Sequence, residues 1–330
     1  MRARHMNFSR RAFLLLAAGA AALPAPRAAW AQAYPLRPVR IIVPFAAGGG
    51  SDVIARLVAQ KLAENLGRQF YVENQVGAGG NIGMGNAALA AADGYTILFA
   101  TSSYVVNPNL FPKVPYDPDK DFAPLTVAAD APNSLLVHPS VPARTVKDLV
   151  DLIRANPGKY SFAHTGIGTT PHLSGEMFKL SAALDLVAVP FSGGAPAAQS
   201  AVAGHTPILF NSLAMAVTLV KDGKLRALAV AAKERAAALP DVPTMDEAGF
   251  KDQEANTFQA MLAPAATPKE IQDLLHREII KTLKLPDVKA RLEGLGLDVV
   301  ANSQEEFGAQ IKEEIVKWRK VIRAANINAE

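Results

Sequence analysis

VRIIVPFAAGGGSDVIARLVAQKLAENL, residues 39–66, changes its hydrophobic rhythm halfway along. Apart from Arg40, Val39 to Phe45 is an unbroken apolar run rich in β-branched residues, the pattern of a strand buried on both faces. From Val53 to Leu66 the apolar positions, among them Val53, Leu57, Ala63 and Leu66, suit one face of a helix. Between the two lies Gly48-Gly49-Gly50-Ser51-Asp52, a turn in which glycine frees the backbone. A buried strand that enters a helix through such a turn is the first half of a parallel βαβ unit.

The rhythm continues on the C-terminal side. Phe70 to Val72 reads as a second strand, Ile82 to Ala91 as a helix and Tyr95 to Thr101 as a third strand. Right-handed crossovers then require a parallel sheet. Asn107 to Pro124 is turn-rich, with Pro108, Pro112, Pro115 and Pro118, and Leu125–Ala129 and Leu135–His138 read as extended. A second series follows: helix Val146–Ala155, strand Tyr160–His164, helix His172–Leu184 and strand Leu186–Val189. It continues with helix Ala195–Ala203, strand Pro207–Phe210, helix Leu213–Val220 and strand Arg226–Ala231. Thr257–Leu262 reads as a strand, Thr267-Pro268-Lys269-Glu270 as a capping-box helix start, and Gln304–Ala324 as the last helix. The expected fold is α/β, with each series forming an open sheet flanked by helices. Crossings near Asp130–Leu136 and Glu254–Gln259 divide the chain into a discontinuous first lobe, residues 34–132 plus 257–330, and a second lobe, residues 133–256.

At 330 residues, half of them apolar and 19% charged, the chain can bury two cores. It has no cysteine, which excludes a disulfide, a cysteine nucleophile, a thiolate metal site and a lipid-anchored bacterial N-terminus. Arg2, Arg4, Arg10 and Arg11 precede an apolar run from Ala12 to Leu23. Two A-x-A sites follow, Ala29-Trp30-Ala31 and Ala31-Gln32-Ala33. This order is that of a secretory signal peptide over residues 1–33, with the exported chain starting at Gln32 or Tyr34. Ser9-Arg10-Arg11-Ala12-Phe13-Leu14 also resembles a twin-arginine signal, so both that route and the general secretory route stay open. The leader carries five of the 34 basic residues and no acid, which leaves 29 basic against 30 acidic residues. No basic stripe suited to nucleic acid remains, and no later stretch is long and apolar enough to span a bilayer.

Four strand-to-helix turns are rich in glycine or small hydroxyl residues: Phe45–Asp52, Gly77–Asn81, Thr165–Thr170 and Ser192–Ala195. Helix N-termini present free N–H groups and partial positive charge, and in open α/β sheets these turns lie where ligands bind. Two turns from each lobe would make a two-sided anion cleft. Signatures of catalysis are missing: there is no phosphate loop, no G-x-G-x-x-G at a strand–helix turn and no G-x-S-x-G elbow. His138, His164 and His205 are isolated, and His172 with Glu176 lacks the second histidine of a zinc-binding helix. No catalytic residue, metal or cofactor is assigned.

Several motifs together resemble one family. Arg40 to Asp52, Gly77 to Gly83, Asp93-Gly94-Tyr95-Thr96, Gly166 to Leu173 and Leu239-Pro240-Asp241-Val242-Pro243-Thr244 resemble, in order, the substrate-binding proteins of tripartite tricarboxylate transporters, the Bordetella uptake gene product family. The resemblance implies a two-lobed periplasmic binding protein fold of the type II kind with two interdomain crossings. It implies a monomeric periplasmic protein that closes on a small carboxylate and delivers it to integral membrane permease subunits. The alternative is a periplasmic ligand sensor acting on a membrane signalling protein. Carried over by motif, first-lobe contacts are Phe45, Ala47, Gly48, Gly49 and Ser102. Those of the second lobe are Gly166, Gly168, Thr169, Thr170, Phe191, Gly194 and Asn211. Thr169 is expected either to donate to the ligand or to cap the helix beginning near Pro171. Two positions depart from the family: Phe191-Ser192 stands where tyrosine and a basic residue are common, and Asn211 where aspartate is. The first change leaves a more apolar wall and points to a bulkier or aromatic carboxylate.

Overall fold

The buried strand expected at Val39 forms as β1 (Val39–Val43), with Val39, Ile41, Ile42 and Val43 fully buried and Arg40 half-buried. The structure, a computed structural model, describes residues 34–48 and 50–328. The expected signal peptide and Gly49 therefore lie outside the described residues. α1 (Gly50–Leu66) begins three residues before the apolar pattern does, because Asp52 in its first turn accepts from the Gly48 N–H at 2.9 Å. It buries Ile54, Ala55, Val58, Ala59 and Leu62 against the sheet. β2 (Phe70–Asn74), a 3₁₀ turn at Ala78–Gly80, α2 (Asn81–Ala88), β3 (Thr96–Thr101) and α3 (Ser103–Leu110) complete the first series.

α3 lies partly in a stretch whose prolines suggest only turns. Pro108 sits inside it and cannot donate to the Tyr104 carbonyl one turn back. The Tyr116 hydroxyl donates to that carbonyl instead, at 2.9 Å, so the helix survives.

β4 (Phe122–Val137) follows, then α4 (Val146–Arg154), β5 (Ser161–His164), α5 (Thr170–Ser181) and β6 (Val187–Pro190). α6 (Gly194–Val202), β7 (Ile208–Ser212), α7 (Leu213–Lys221) and β8 (Arg226–Val230) close the second series. The chain returns through β9 (Asn256–Pro264), α8 (Lys269–Leu283), α9 (Pro286–Gly294), β10 (Asp298–Val299) and α10 (Gln304–Ala324). The N-cap of α8 is Pro268, which has neither a side-chain oxygen nor an N–H, so the expected capping box does not form there. Capping boxes form instead at Thr145 with Asp148 and at Ser303 with Glu306.

Both parallel triplets form: β2-β1-β3 and β7-β5-β6. Each triplet lies in its own sheet, and β4, which pairs in both, links them. The strand order β2-β1-β3-β9-β4-β7-β5-β6 is continuous, with β8 and β10 also on β4. β4 is one 16-residue strand rather than two extended pieces. Its stretch Phe122–Pro132 pairs antiparallel with β9, and Asn133–Val137 pairs antiparallel with β7. Two lobes thus share β4 and β9 as crossings. One core runs from Ile42 and Leu98 through Leu135, Phe162 and Phe178 to Trp318, and a second gathers around Ala163, Leu209 and Val230. α10 packs on α3, β4 and α5, touching elements of both series. Among the described residues no helix is long and apolar enough to cross a membrane.

Candidate ligand-binding site

The strand-to-helix turns of both series meet at a cavity of about 330 Å³, lined by Phe45 of the β1–α1 turn, Gly79 of the 3₁₀ turn and Thr101-Ser102-Ser103 where β3 enters α3. Asn107 and Phe111 complete that side. The other side carries Thr165, Ile167 to Pro171, Gly194, Asn211, Ser212 and Met215, and Thr257 of β9 also lines it. The size is at the lower end of small-ligand sites.

Hydrogen bonds fix these turns. The Ser102 hydroxyl donates to the Asn256 carbonyl at 3.3 Å and accepts from the Phe258 N–H at 3.0 Å, tying the start of α3 to β9. The Asn107 amide donates to the Gly79 carbonyl at 2.9 Å and to Asn81 Oδ1 at 2.8 Å. In the Thr165–Thr170 turn, Thr169 Oγ1 donates to the Gly166 carbonyl at 2.7 Å and accepts from Thr165 Oγ1 at 2.9 Å. Thr170 and Thr257 share a hydroxyl–hydroxyl bond. Asn211, fully buried, donates from Nδ2 to the Gly194 carbonyl at 3.0 Å, and its Oδ1 accepts from the Ser212 N–H at 2.9 Å.

Beneath the same turn two buried histidine rings stack at 4.0 Å. His172 Nδ1 accepts from the Gly168 N–H at 3.1 Å and His164 Nδ1 lies 3.0 Å from the Gly166 carbonyl. Burial pushes His164 down to about 4 and His172 down to about 3, so both rings are neutral at physiological pH. Glu176 Oε1 is 4.0 Å from His172 Nε2, and burial raises the Glu176 carboxyl. Among the described residues no three His, Asp or Glu side chains gather as a metal site.

No charged side chain lines the cavity. Its positive potential comes from backbone: α3, α5 and α6 start at Ser103, Thr170 and Gly194, and α7 has Ser212 as its N-cap. Each helix start carries about half a positive charge, so four of them favour an anion. Asp52, in the first turn of α1 after the Phe45 turn, is held by other partners. Arg56, the Gly48 N–H and Asn74 bond its carboxylate and bring it down to about 2.

Residues 54–327 match the family model described as tripartite tricarboxylate transporter family receptor. The chain belongs to this family. BugT of Bordetella pertussis is 34% identical over 295 residues, spanning 89% of this chain and 90% of that protein. A structure of an R. palustris protein with adipate matches with a TM-score of 0.80 at 33% identity, covering 89% of this chain and 99% of that one. MatC from Rhodopseudomonas palustris with bound malate matches with a TM-score of 0.77 at 32% identity, covering 88% of this chain and 100% of that one. The receptor has the two-lobed periplasmic binding protein fold.

Of the contacts expected from sequence, the receptor places Phe45, Ser102, Gly168, Thr169, Thr170, Gly194 and Asn211 on the cavity wall. Ala47 and Gly48 are exposed beside it, and Gly166 lies behind Thr169 with its backbone bonded to His164. Phe191 is not among the residues that line the cavity; half-buried, it packs against the second core. Thr169 is the N-cap residue of α5 without a side-chain cap bond, and its hydroxyl donates to the Gly166 carbonyl. Asn107, Phe111, Ile167, Met215 and Thr257 line the cavity without having been singled out. Thr101-Ser102-Ser103 and Asn211-Ser212 carry the signal that could have found two more turns, small hydroxyl residues between a strand and a helix. Phe111 and Met215 carry none.

Proposed function

We propose that this receptor captures a small organic carboxylate between its lobes in the periplasm and hands it to the permease subunits of a tripartite transporter. One observation carries the reading: four helix N-termini, from both lobes, converge on a single neutral cavity. Such a site holds an anion by main-chain dipoles and hydroxyls, and a ligand touching both sides favours the closed arrangement. The proposed lobes are residues 34–132 with 257–330, and residues 133–256. The proposed contacts are Phe45, Ser102, Gly168, Thr169, Thr170, Gly194 and Asn211. Relatives solved with adipate and with malate support a carboxylate, and the basic, apolar, small-residue order of residues 1–33 supports export.

A thermal-shift screen of mono-, di- and tricarboxylates tests the proposal. A true ligand at 100 times its Kd stabilises the fold by about 2.7 kcal/mol and raises the midpoint by several degrees. A midpoint unmoved by every carboxylate, with a shift for a neutral sugar or an amine, defeats it.

A further inference from the structure

We infer that the ligand is a single carboxylate on an apolar body, aryl or branched alkyl, rather than a hydroxylated di- or tricarboxylate; this rests on the carboxylate reading above. Two observations carry it. Ile167 and Met215 are large apolar side chains left 47% and 44% exposed, and both line this one cavity. Half-buried Phe45 and Phe111 line its opposite side. Apolar surface kept in water at the mouth of a concave site is stabilised when a ligand covers it.

The second observation is the supply of protons. An anion needs donors, and most side-chain donors here are spent within the protein. The Ser102 proton goes to the Asn256 carbonyl, that of Thr169 to Gly166, and both Asn107 amide protons go to Gly79 and Asn81. Thr170 and Thr257 bond one another and so offer one proton between them. Proline at 171 and at 196 also removes an N–H from the first turns of α5 and α6. The Ser212 hydroxyl and main-chain N–H groups of the helix starts remain, and a carboxylate held there leaves its body against Ile167 and Met215. A second carboxylate or a ring of hydroxyls would lose its water against Ile167 and Met215 without gaining donors, which is costly.

Calorimetry with the purified protein decides it, using phenylacetate, isovalerate, malate, citrate and neutral phenylacetamide. Phenylacetate or isovalerate is expected to bind at least about tenfold more tightly than malate or citrate, and phenylacetamide not at all. Ile167→Ala and Met215→Ala, both at half-exposed positions that the fold can spare, should each weaken phenylacetate or isovalerate about tenfold. Malate or citrate binding as tightly as the apolar acids overturns this inference and leaves the carboxylate reading standing. Variants that bind the apolar acid like the parent also overturn it. If no acid of the panel binds while phenylacetamide does, the carboxylate reading itself fails.

Discussion

At Asn211 both ends of the amide are in use: Nδ2 donates to the Gly194 carbonyl and Oδ1 accepts from the Ser212 N–H. Aspartate, which the family resemblance leads one to expect there, cannot make the first bond when ionised. It would set a carboxylate oxygen against a carbonyl oxygen, on the wall of an anion site. Gly194 lies close against this side chain, since a Cβ on it would come within 3.1 Å of Asn211 Oδ1. Asn211→Asp is therefore expected to weaken carboxylate binding at least about tenfold at pH 7.5 and to cost about 1–3 kcal/mol of stability. Part of both should return at pH 5 as the new carboxyl takes up a proton. Calorimetry and urea unfolding at the two pH values check this, and unchanged affinity would remove Asn211 from the site. At this scale the sequence was informative about backbone and poor about side chains. The glycine turns were legible because only glycine adopts the positive φ found at Gly48, Gly79, Gly168 and Gly193 without strain. Which hydroxyl pairs with which was not: Thr170 and Thr257 are 87 positions apart, and only the folded crossing brings them together.

Among the elements, the crossings show the same division. β4 could not be read as one strand because Asp130, Pro132 and Asn133 interrupt it with poor strand formers. Pairing to β9 carries it through them, with Asp130 accepting from Asn256 Nδ2 at 2.9 Å. Burial pushes the Asp130 carboxyl up to about 6; the Asn256 amide opposes this and the charge of Asp298 adds to it. Between its ordinary value near 3.8 and about 6, the folded chain keeps a proton that the unfolded chain has released. Stability from this group is thus present in acid and lost as pH rises through that window. The buried His164 and His172 act in the opposite sense, losing stability as pH falls below about 6.5. The difference between parent and variant isolates the aspartate. Asp130→Asn, which keeps an acceptor for Asn256, should be more stable than the parent by about 1–3 kcal/mol at pH 7.5 and equal to it at pH 4. Urea unfolding across that range tests it, and a difference independent of pH would place the effect outside this carboxyl.

For the whole molecule, two βα series joined through β4 and β9 follow from the order of the strands, and the two series were visible in the alternation of periodicities. The contact of α10 with both series was not, since an amphipathic face does not say which partners it meets. Nor was the touch between the lobes across the cavity, where Gly168 of the second lobe lies against buried Leu110 of α3. Gly168 has φ 76°, and a Cβ added to it would overlap Leu110 Cδ2. A ligand that touches both sides of the cavity favours arrangements that keep such contacts. Gly168→Ala should hold the lobes apart and weaken ligand binding about tenfold or more. Scattering at saturating ligand should then give a larger radius of gyration than the parent shows with the same ligand. Backbone strain at a positive φ would act without Leu110, so Leu110→Ala in the same chain separates the causes. If crowding dominates, the double variant regains closure and part of the affinity, an interaction energy of about 0.5–3 kcal/mol. If strain dominates, it stays as open as Gly168→Ala alone. A single variant that closes and binds like the parent would mean that this contact plays no part in closure.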